Sequence, residues 1–237
     1  MPEGVLLSYA RGAHDAGVAE WVLGALITLC RDFPVFARAR QEHRWATRPT
    51  DTLYGKKVLI VGAGDLADAL ARALAPFRTP VTVVASTARA RVYPVDELPA
   101  LLPHHDIVVL AVASTARTRR LADASMLARM PDCAILVNVS HGRVVDTEAL
   151  VAELYSHRLS AALDVTDPEP LPPDHPLWVR RGCFSPRMSP APAARSAPTR
   201  WPPPRSSGSS PAGFRTTSSA EHGERAPRVV AAQRLSA

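Results

Sequence analysis

Cysteine is scarce in this chain. Cys30, Cys133 and Cys183 are the only three in 237 residues, and they stand far apart. An odd, scattered set gives neither a disulfide framework nor the paired ligands of a metal site. No metal is expected, and the thiols read as buried or idle groups in a reducing cytoplasm. Long apolar runs are missing too. The stretch Trp21 to Cys30 falls well short of the roughly 20 residues that span a bilayer. No signal peptide is visible, and no membrane partner is expected. A basic face is also lacking, although the net charge is +6. Residues 183–237 hold eight Arg and two Glu, which accounts for the whole surplus. Residues 1–182 balance at 20 basic and 20 acidic groups, so no nucleic-acid partner is expected for that part.

What the chain does have is apolar content of 46%, enough for a core in one large domain or two small ones. Its most informative stretch runs from Lys57 to Leu74. Val58 to Val61 reads as a strand. Gly62-Ala63-Gly64 reads as a tight turn. Leu66, Leu70 and Leu74, with Ala67 and Ala71 beside them, lie at helical spacing. The turn has the G-x-G-x-x-A form of a dinucleotide fingerprint. Gly62 permits the sharp turn, Gly64 leaves room for a pyrophosphate at the backbone, and Ala67 lets helix and strand pack closely. The first amides of the helix then face the phosphates. Without its flanking strand and helix, the same pattern would be only a glycine-rich turn.

Elsewhere the chain alternates. Val5 to Ala10 reads as a strand and Arg11 to Asp15 as a turn. Val18 to about Arg31 reads as a helix that is apolar nearly all round, to be buried within the protein or against a partner. Pro34 is expected to end it. Residues 35–53 are polar, with Trp45 as the expected anchor to the body. Strands follow at Pro80–Ala85, Asp106–Val112, Cys133–Asn138 and Leu159–Val165. Helices are expected at Val95–Leu102, at Leu121–Met130, and from an Asp146 or Thr147 cap through Leu154. This order predicts an α/β fold with a doubly wound parallel sheet of the Rossmann type. Ligands bind such sheets beyond the strand carboxyl ends, where the strand order reverses. From Cys183 onward, nine Pro and ten Ser in 55 residues predict a disordered tail.

Several stretches together resemble one family, the D-isomer-specific 2-hydroxyacid dehydrogenases of the phosphoglycerate, glyoxylate and hydroxypyruvate reductase group. They are Ala10 to Asp15 with Val18 to Trp21, the glycine fingerprint, Leu136 to Asp146, Ala161 to Val165, Glu169 to Pro172, and His175 to Trp178. The resemblance covers residues 5–186. It implies hydride transfer between a nicotinamide and a small 2-hydroxy or 2-keto acid. It places the family's pyrophosphate turn on Ala63 to Leu66, and so includes Asp65. It places the carboxamide-binding aspartate on Asp164 and the catalytic glutamate on Glu169. Val112, Thr118, Val139 and Ser140 fall among its cofactor-binding positions. Two positions depart from the pattern. His141 stands where the family has the arginine that forks onto the substrate carboxylate. Arg187, in Ser185-Pro186-Arg187, stands where the family has its acid/base histidine. Arg143 is two residues from the arginine position, and His175 reads as a surface histidine. The family members pair through the region of the first helix, which implies a homodimer.

The residue after the second strand separates NAD from NADP in this fold, because a carboxylate there holds the ribose 2′-OH. Here that place carries Ser86, Thr87, Arg89 and Arg91, with no carboxylate before Asp96. A hydroxyl and guanidiniums suit a 2′-phosphate, which tips the expectation from NAD toward NADP. The other reading is a solvated basic loop.

Three domains follow from this: a remnant of a substrate domain with helix and linker at 1–50, an NAD(P)-binding domain at 51–182, and the tail at 183–237. The family's substrate domain is expected to be largely missing. Three functions compete: an NAD(P)-dependent dehydrogenase, a catalytically inactive nucleotide-binding module, and a dimerising interaction protein with an Arg/Pro/Ser tail. The tail's composition also matches high-GC coding sequence read out of frame, since the chain has 26 Arg against only Lys56 and Lys57.

Overall fold

The computed structural model describes residues 12, 14–179 and 183–184. The strand expected at 5–10, the tail beyond Phe184 and Arg187 lie outside the described residues. The sheet has seven parallel strands in the order β3-β2-β1-β4-β5-β6-β7. They are β1 (Val58–Val61), β2 (Val81–Ala85), β3 (Val92–Pro94), β4 (Ile107–Leu110), β5 (Ile135–Asn138), β6 (Ser160–Leu163) and β7 (Cys183–Phe184). The order reverses between β1 and β4, which pair in register from Val58 with Ile107 to Val61 with Leu110.

The central strands are buried on both faces because their side chains alternate into two cores. Leu59, Val61, Val108, Leu110 and Leu136 point into one layer with Leu127, Leu150 and Leu154. Those three come from α5 (Ala124–Arg129) and α6 (Thr147–Tyr155). Val58, Ile60, Ile107, Val109 and Val137 point into the other, with Val22, Leu26, Leu70 and Leu74. These belong to α1 (Asp15–Cys30) and α3 (Asp65–Leu74). The predicted doubly wound sheet is thus the observed one.

Four local expectations change. The first helix ends at Cys30, and Pro34 opens α2 (Phe33–Gln41) instead of ending α1. Proline fits the first turn because no amide there has a helical partner to lose. Trp45 anchors nothing, being 91% exposed; Ala39 and Leu53 are the buried residues of that region. The all-round apolar α1 buries its core face within this chain, one of the two outcomes expected. Leu26 is 0% exposed within this chain, and Trp21, Leu23, Ile27 and Leu29 pack against the same core. The sheet also takes in two unexpected edge strands, β3 and β7, so it reaches past residue 182.

The helix expected at 121–130 is shorter. Ala122 bridges Val145, and Asp123 caps α5 by accepting from the Met126 amide at 2.8 Å. Arg158 closes the other end of α5. Its guanidinium donates to the Leu127 and Met130 carbonyls at 2.6 Å each and to Glu153 at 2.7 Å, satisfying carbonyls a helix end leaves open.

Candidate cofactor and substrate site

The carboxyl ends of β1, β2 and β4 open onto a cleft of about 930 Å³. Of the residues singled out in the sequence, Gly62, Ala63, Gly64, Ser86, Val112 and Thr118 line it. Gly62 has φ +123°, and a Cβ there would stand 2.0 Å from the Ala111 carbonyl oxygen. Only glycine allows both the left-handed backbone and the close approach of β4. Gly64 differs: a Cβ there meets nothing within 4 Å. It is the residue before the first turn of α3, with no side-chain cap. The space beside it is therefore open, and the helix's amino end faces it. Ala67 is buried at 2% exposure, where the fingerprint needs a small residue.

Arg89 is not a lining residue, but its Nη2 donates to the Ala63 carbonyl at 2.5 Å. The loop between β2 and β3 is thereby tied to the phosphate turn. Arg89 also exchanges backbone hydrogen bonds with Val92, which closes residues 89–92 into a turn at the start of β3. Thr87 is exposed and lies off the cleft. Thr118 is held by its own hydroxyl, which donates to the Ala113 carbonyl at 2.7 Å and accepts from the Thr115 amide at 2.9 Å.

The ends of β4, β5 and β6 form a second cluster, knitted by hydrogen bonds. Val112 N–H donates to Ser140 Oγ at 2.8 Å. Val139 N–H donates to the Leu110 carbonyl at 3.2 Å, and Asp164 N–H to the Asn138 carbonyl at 3.0 Å. Asn138, 1% exposed, is the hub: its Oδ1 accepts from Ser140 N–H and its Nδ2 donates to the His141 carbonyl, both at 3.0 Å. The sequence did not single out Asn138; the available signal was an amide side chain ending an otherwise apolar strand. Gly142 follows, and a Cβ on it would stand 2.0 Å from the Thr166 carbonyl oxygen. The loop that leads to Glu169 is therefore pressed onto the turn that carries His141. Thr147 Oγ1 also holds that loop by donating to the Asp167 carbonyl at 2.8 Å.

On this frame the side chains of His141, Arg143 and Glu169 are all exposed. No hydrogen bond or ion pair joins Glu169 to His141 among the described residues. His175 has a structural task, its Nδ1 accepting from Leu177 N–H at 3.2 Å. Beside the cluster, Asp146 caps α6 and pairs with Arg120 at 2.5 Å. Burial pushes its carboxyl up, but the guanidinium and the helix amides outweigh that and hold it below the usual carboxylate range.

Comparison with known proteins agrees with this geometry. Residues 23–185 match the family model described as D-isomer specific 2-hydroxyacid dehydrogenase, NAD binding domain. The glyoxylate reductase/hydroxypyruvate reductase of Mus musculus is 32% identical over 195 residues, covering 76% of this chain and 58% of the mouse protein. A D-isomer specific 2-hydroxyacid dehydrogenase of Xanthobacter autotrophicus Py2, solved with NADPH and MES, superposes with a TM-score of 0.67 at 35% identity. It covers 74% of this chain and 58% of that one. A Staphylococcus aureus formate dehydrogenase solved with NAD superposes with a TM-score of 0.67 at 27% identity, over 74% of this chain and 55% of that one. The chain thus spans somewhat over half the length of such relatives. The fingerprint, the sheet order and these matches converge: the chain belongs to the D-isomer specific 2-hydroxyacid dehydrogenase family, through its NAD-binding domain.

Proposed function

We propose that the cleft binds a nicotinamide dinucleotide, and that the chain serves hydride transfer between that cofactor and a small 2-hydroxy or 2-keto acid. The observation that carries the reading is the open space beside Gly64, at the amino end of α3 and at the point where the strand order reverses. Bound there, the nicotinamide would supply or take the hydride. Ala63 to Leu66 would hold the pyrophosphate. Val112, Thr118, Val139, Ser140 and Asp164 would position the dinucleotide toward the β4–β6 side. Residues 51–182, extended by β7, are the cofactor-binding domain in this reading, and residues 1–50 the link to a substrate domain.

NADP is the favoured cofactor. Ser86 lines the cleft, and Arg89 is held at the phosphate turn, where its guanidinium can reach a 2′-phosphate.

Turnover by this chain is proposed to be impaired. A keto acid needs a fork of donors for its carboxylate, and the imidazole of His141 cannot form that fork. Glu169 has no imidazole bonded to it among the described residues. The inactive nucleotide-binding module is therefore the second reading. A homodimer belongs to the same proposal, with the exposed Phe33 and Trp45 as side chains a second copy would cover; sedimentation at rising concentration tests it.

The test of function is oxidation of NADPH or NADH in the presence of glyoxylate or hydroxypyruvate. Slow or absent turnover is expected, with a gain in His141→Arg. Turnover that His141→Ala leaves unchanged would remove His141 from the reaction.

A further inference from the structure

Between Glu169 and β7 the chain is held in one short turn. Leu171 and Leu177 anchor it in the apolar layer that also holds Leu98 of α4 (Leu98–Leu101), Leu127 of α5 and Leu154 of α6. Between those anchors the chain closes twice on the Pro172 carbonyl. His175 N–H donates to it at 3.1 Å, and the Trp178 indole N–H donates to it at 2.8 Å. The single helical turn Pro176–Val179 follows. Its first position is a proline, which has no amide to satisfy. The first amide that needs a partner is therefore that of Leu177, a residue only 5% exposed. It donates to His175 Nδ1 at 3.2 Å, and no other acceptor is paired with it among the described residues. Trp178 N–H takes the His175 carbonyl at 3.1 Å. The half-buried His175 is thus the cap of this turn, in a place that usually carries Ser, Thr, Asp or Asn.

Histidine differs from those caps in one respect. An amide or hydroxyl oxygen accepts a hydrogen bond at any pH near neutrality. Imidazole accepts at Nδ1 only while it is neutral, with its proton on Nε2. Protonated, it carries N–H on both ring nitrogens, and Nδ1–H then opposes the Leu177 N–H. Two donors cannot share a bond, so the amide is left without its partner. Imidazole is also the side chain that changes charge between about pH 5 and 8. On its own loop, His175 has Asp167, Glu169 and Asp174 as neighbours, all exposed. β7, which packs against the turn, brings the Cys183 thiol and no carboxylate or cation. From α6 come the exposed Glu148, and Glu153, which is bound to Arg158. None of these groups pairs with His175 among the described residues, and Arg180 and Arg181 lie outside them. The Leu177 amide is therefore the group that reads the charge of the imidazole.

We propose that His175 is a proton-sensitive latch, which caps the turn before β7 while it is neutral and releases it when protonated. Release loosens the stretch between Glu169 and β7. No residue lining the cofactor cleft belongs to that stretch, so the cleft is left as it was. The inference rests on the hydrogen bonds of the turn and holds whether or not the chain is a dehydrogenase.

The experiment is amide hydrogen exchange by NMR on the full chain at pH 8 and pH 5, with rates corrected for the intrinsic pH dependence of exchange. It compares the parent, His175→Asn and His175→Ala, with the Val109 amide of β4 as the internal standard. In the parent, protection of the Leu177 amide should fall about fivefold between pH 8 and pH 5, the scale of a lost helix cap. In His175→Asn it should be equal at the two pH values, because an amide oxygen accepts at both. In His175→Ala it should be low at both. Unchanged protection in the parent, or the same fall in His175→Asn, would overturn the latch. So would protection in His175→Ala as high as in the parent at pH 8, since another acceptor would then hold the amide. A fall that Val109 shares would be global unfolding and would overturn it too.

Discussion

At the β1–β2–β3 half of the sheet's carboxyl edge, the backbone opens. Gly64 leaves space, α3 turns its amino end toward it, and the cleft runs on to Ser86 and Asp96. At the β5–β6 half, the backbone closes on itself. Asn138, Ser140 and Gly142 use up their hydrogen bonds and their space in fixing the turn, and leave His141 and Glu169 exposed. The first half works through backbone shape, so its function survives as long as the glycines do. On the proposed reading, the second half works through particular side chains on a fixed frame, and the resemblance puts different residues at two of those positions, His141 and Arg187. Cofactor binding and turnover are therefore separable on that reading.

The largest expected effect tests whether both frames are equally tight. Gly62→Ala and Gly142→Ala each drive a Cβ to 2.0 Å from a carbonyl oxygen. Each should cost about 3–5 kcal/mol of stability, read by urea unfolding. A tolerated Gly142→Ala would mean that the β5–β6 half is loose and that the comparison fails there.

Next in size is Arg89→Ala, which removes the guanidinium tied to Ala63. NADPH affinity should fall by about 1–3 kcal/mol while NADH affinity barely moves. An equal loss for both would make Arg89 a support of the phosphate turn rather than a reader of the 2′-phosphate.

A smaller effect separates the frame of the second half from its chemistry. Asp146→Ala removes the α6 cap and the partner of Arg120. It should cost about 1 kcal/mol, with no change in dinucleotide affinity. The folded state holds this carboxyl below its ordinary range. Its stabilising contribution is therefore present above the unfolded pKa of about 3.9. It is lost as the pH falls through the lower folded value, and acid unfolding of the variant should be correspondingly flatter there.

The smallest effect lies under the first half. Burial pushes the Cys30 thiol up to about 11, ahead of the opposing pull of Lys56. Cys30 should resist alkylation at mildly alkaline pH until the chain unfolds, while the exposed Cys133 reacts. Site-resolved mass spectrometry reads both. Early labelling of Cys30 would mean that α1 does not hold its place on the sheet.

What the sequence disclosed follows the same division. The strand, turn and helix around Gly62 are local, with strand and helical periods within one 17-residue stretch, so they could be read directly. The central strands could be read because burial on both faces leaves continuous apolar runs. β3 could not, being three residues long with a proline at its end and a basic loop before it. The role of Pro34 was misread because a proline that ends one helix and one that opens the next look alike without the left-handed Asp32 between them. Trp45 was misread because size and apolarity do not say which side of a loop faces the body. Gly142 acts through its contact with Thr166, far along the chain, and no local pattern carries that contact; Asn138 bonds residues only two and three ahead, and its signal was the amide that ends an apolar strand. The expectation for His141 came only from the resemblance to the family's pattern.

The central claim is that the cofactor half is complete by itself. Calorimetric titration of the parent and of Gly64→Val with NADPH tests it most directly. A Cβ at residue 64 meets no protein atom within 4 Å, so the variant should fold with an unchanged unfolding transition. The parent should show saturable one-to-one binding and Gly64→Val none, whether or not either protein turns over a keto acid. No binding by the parent, or equal affinity in both proteins, would contradict it.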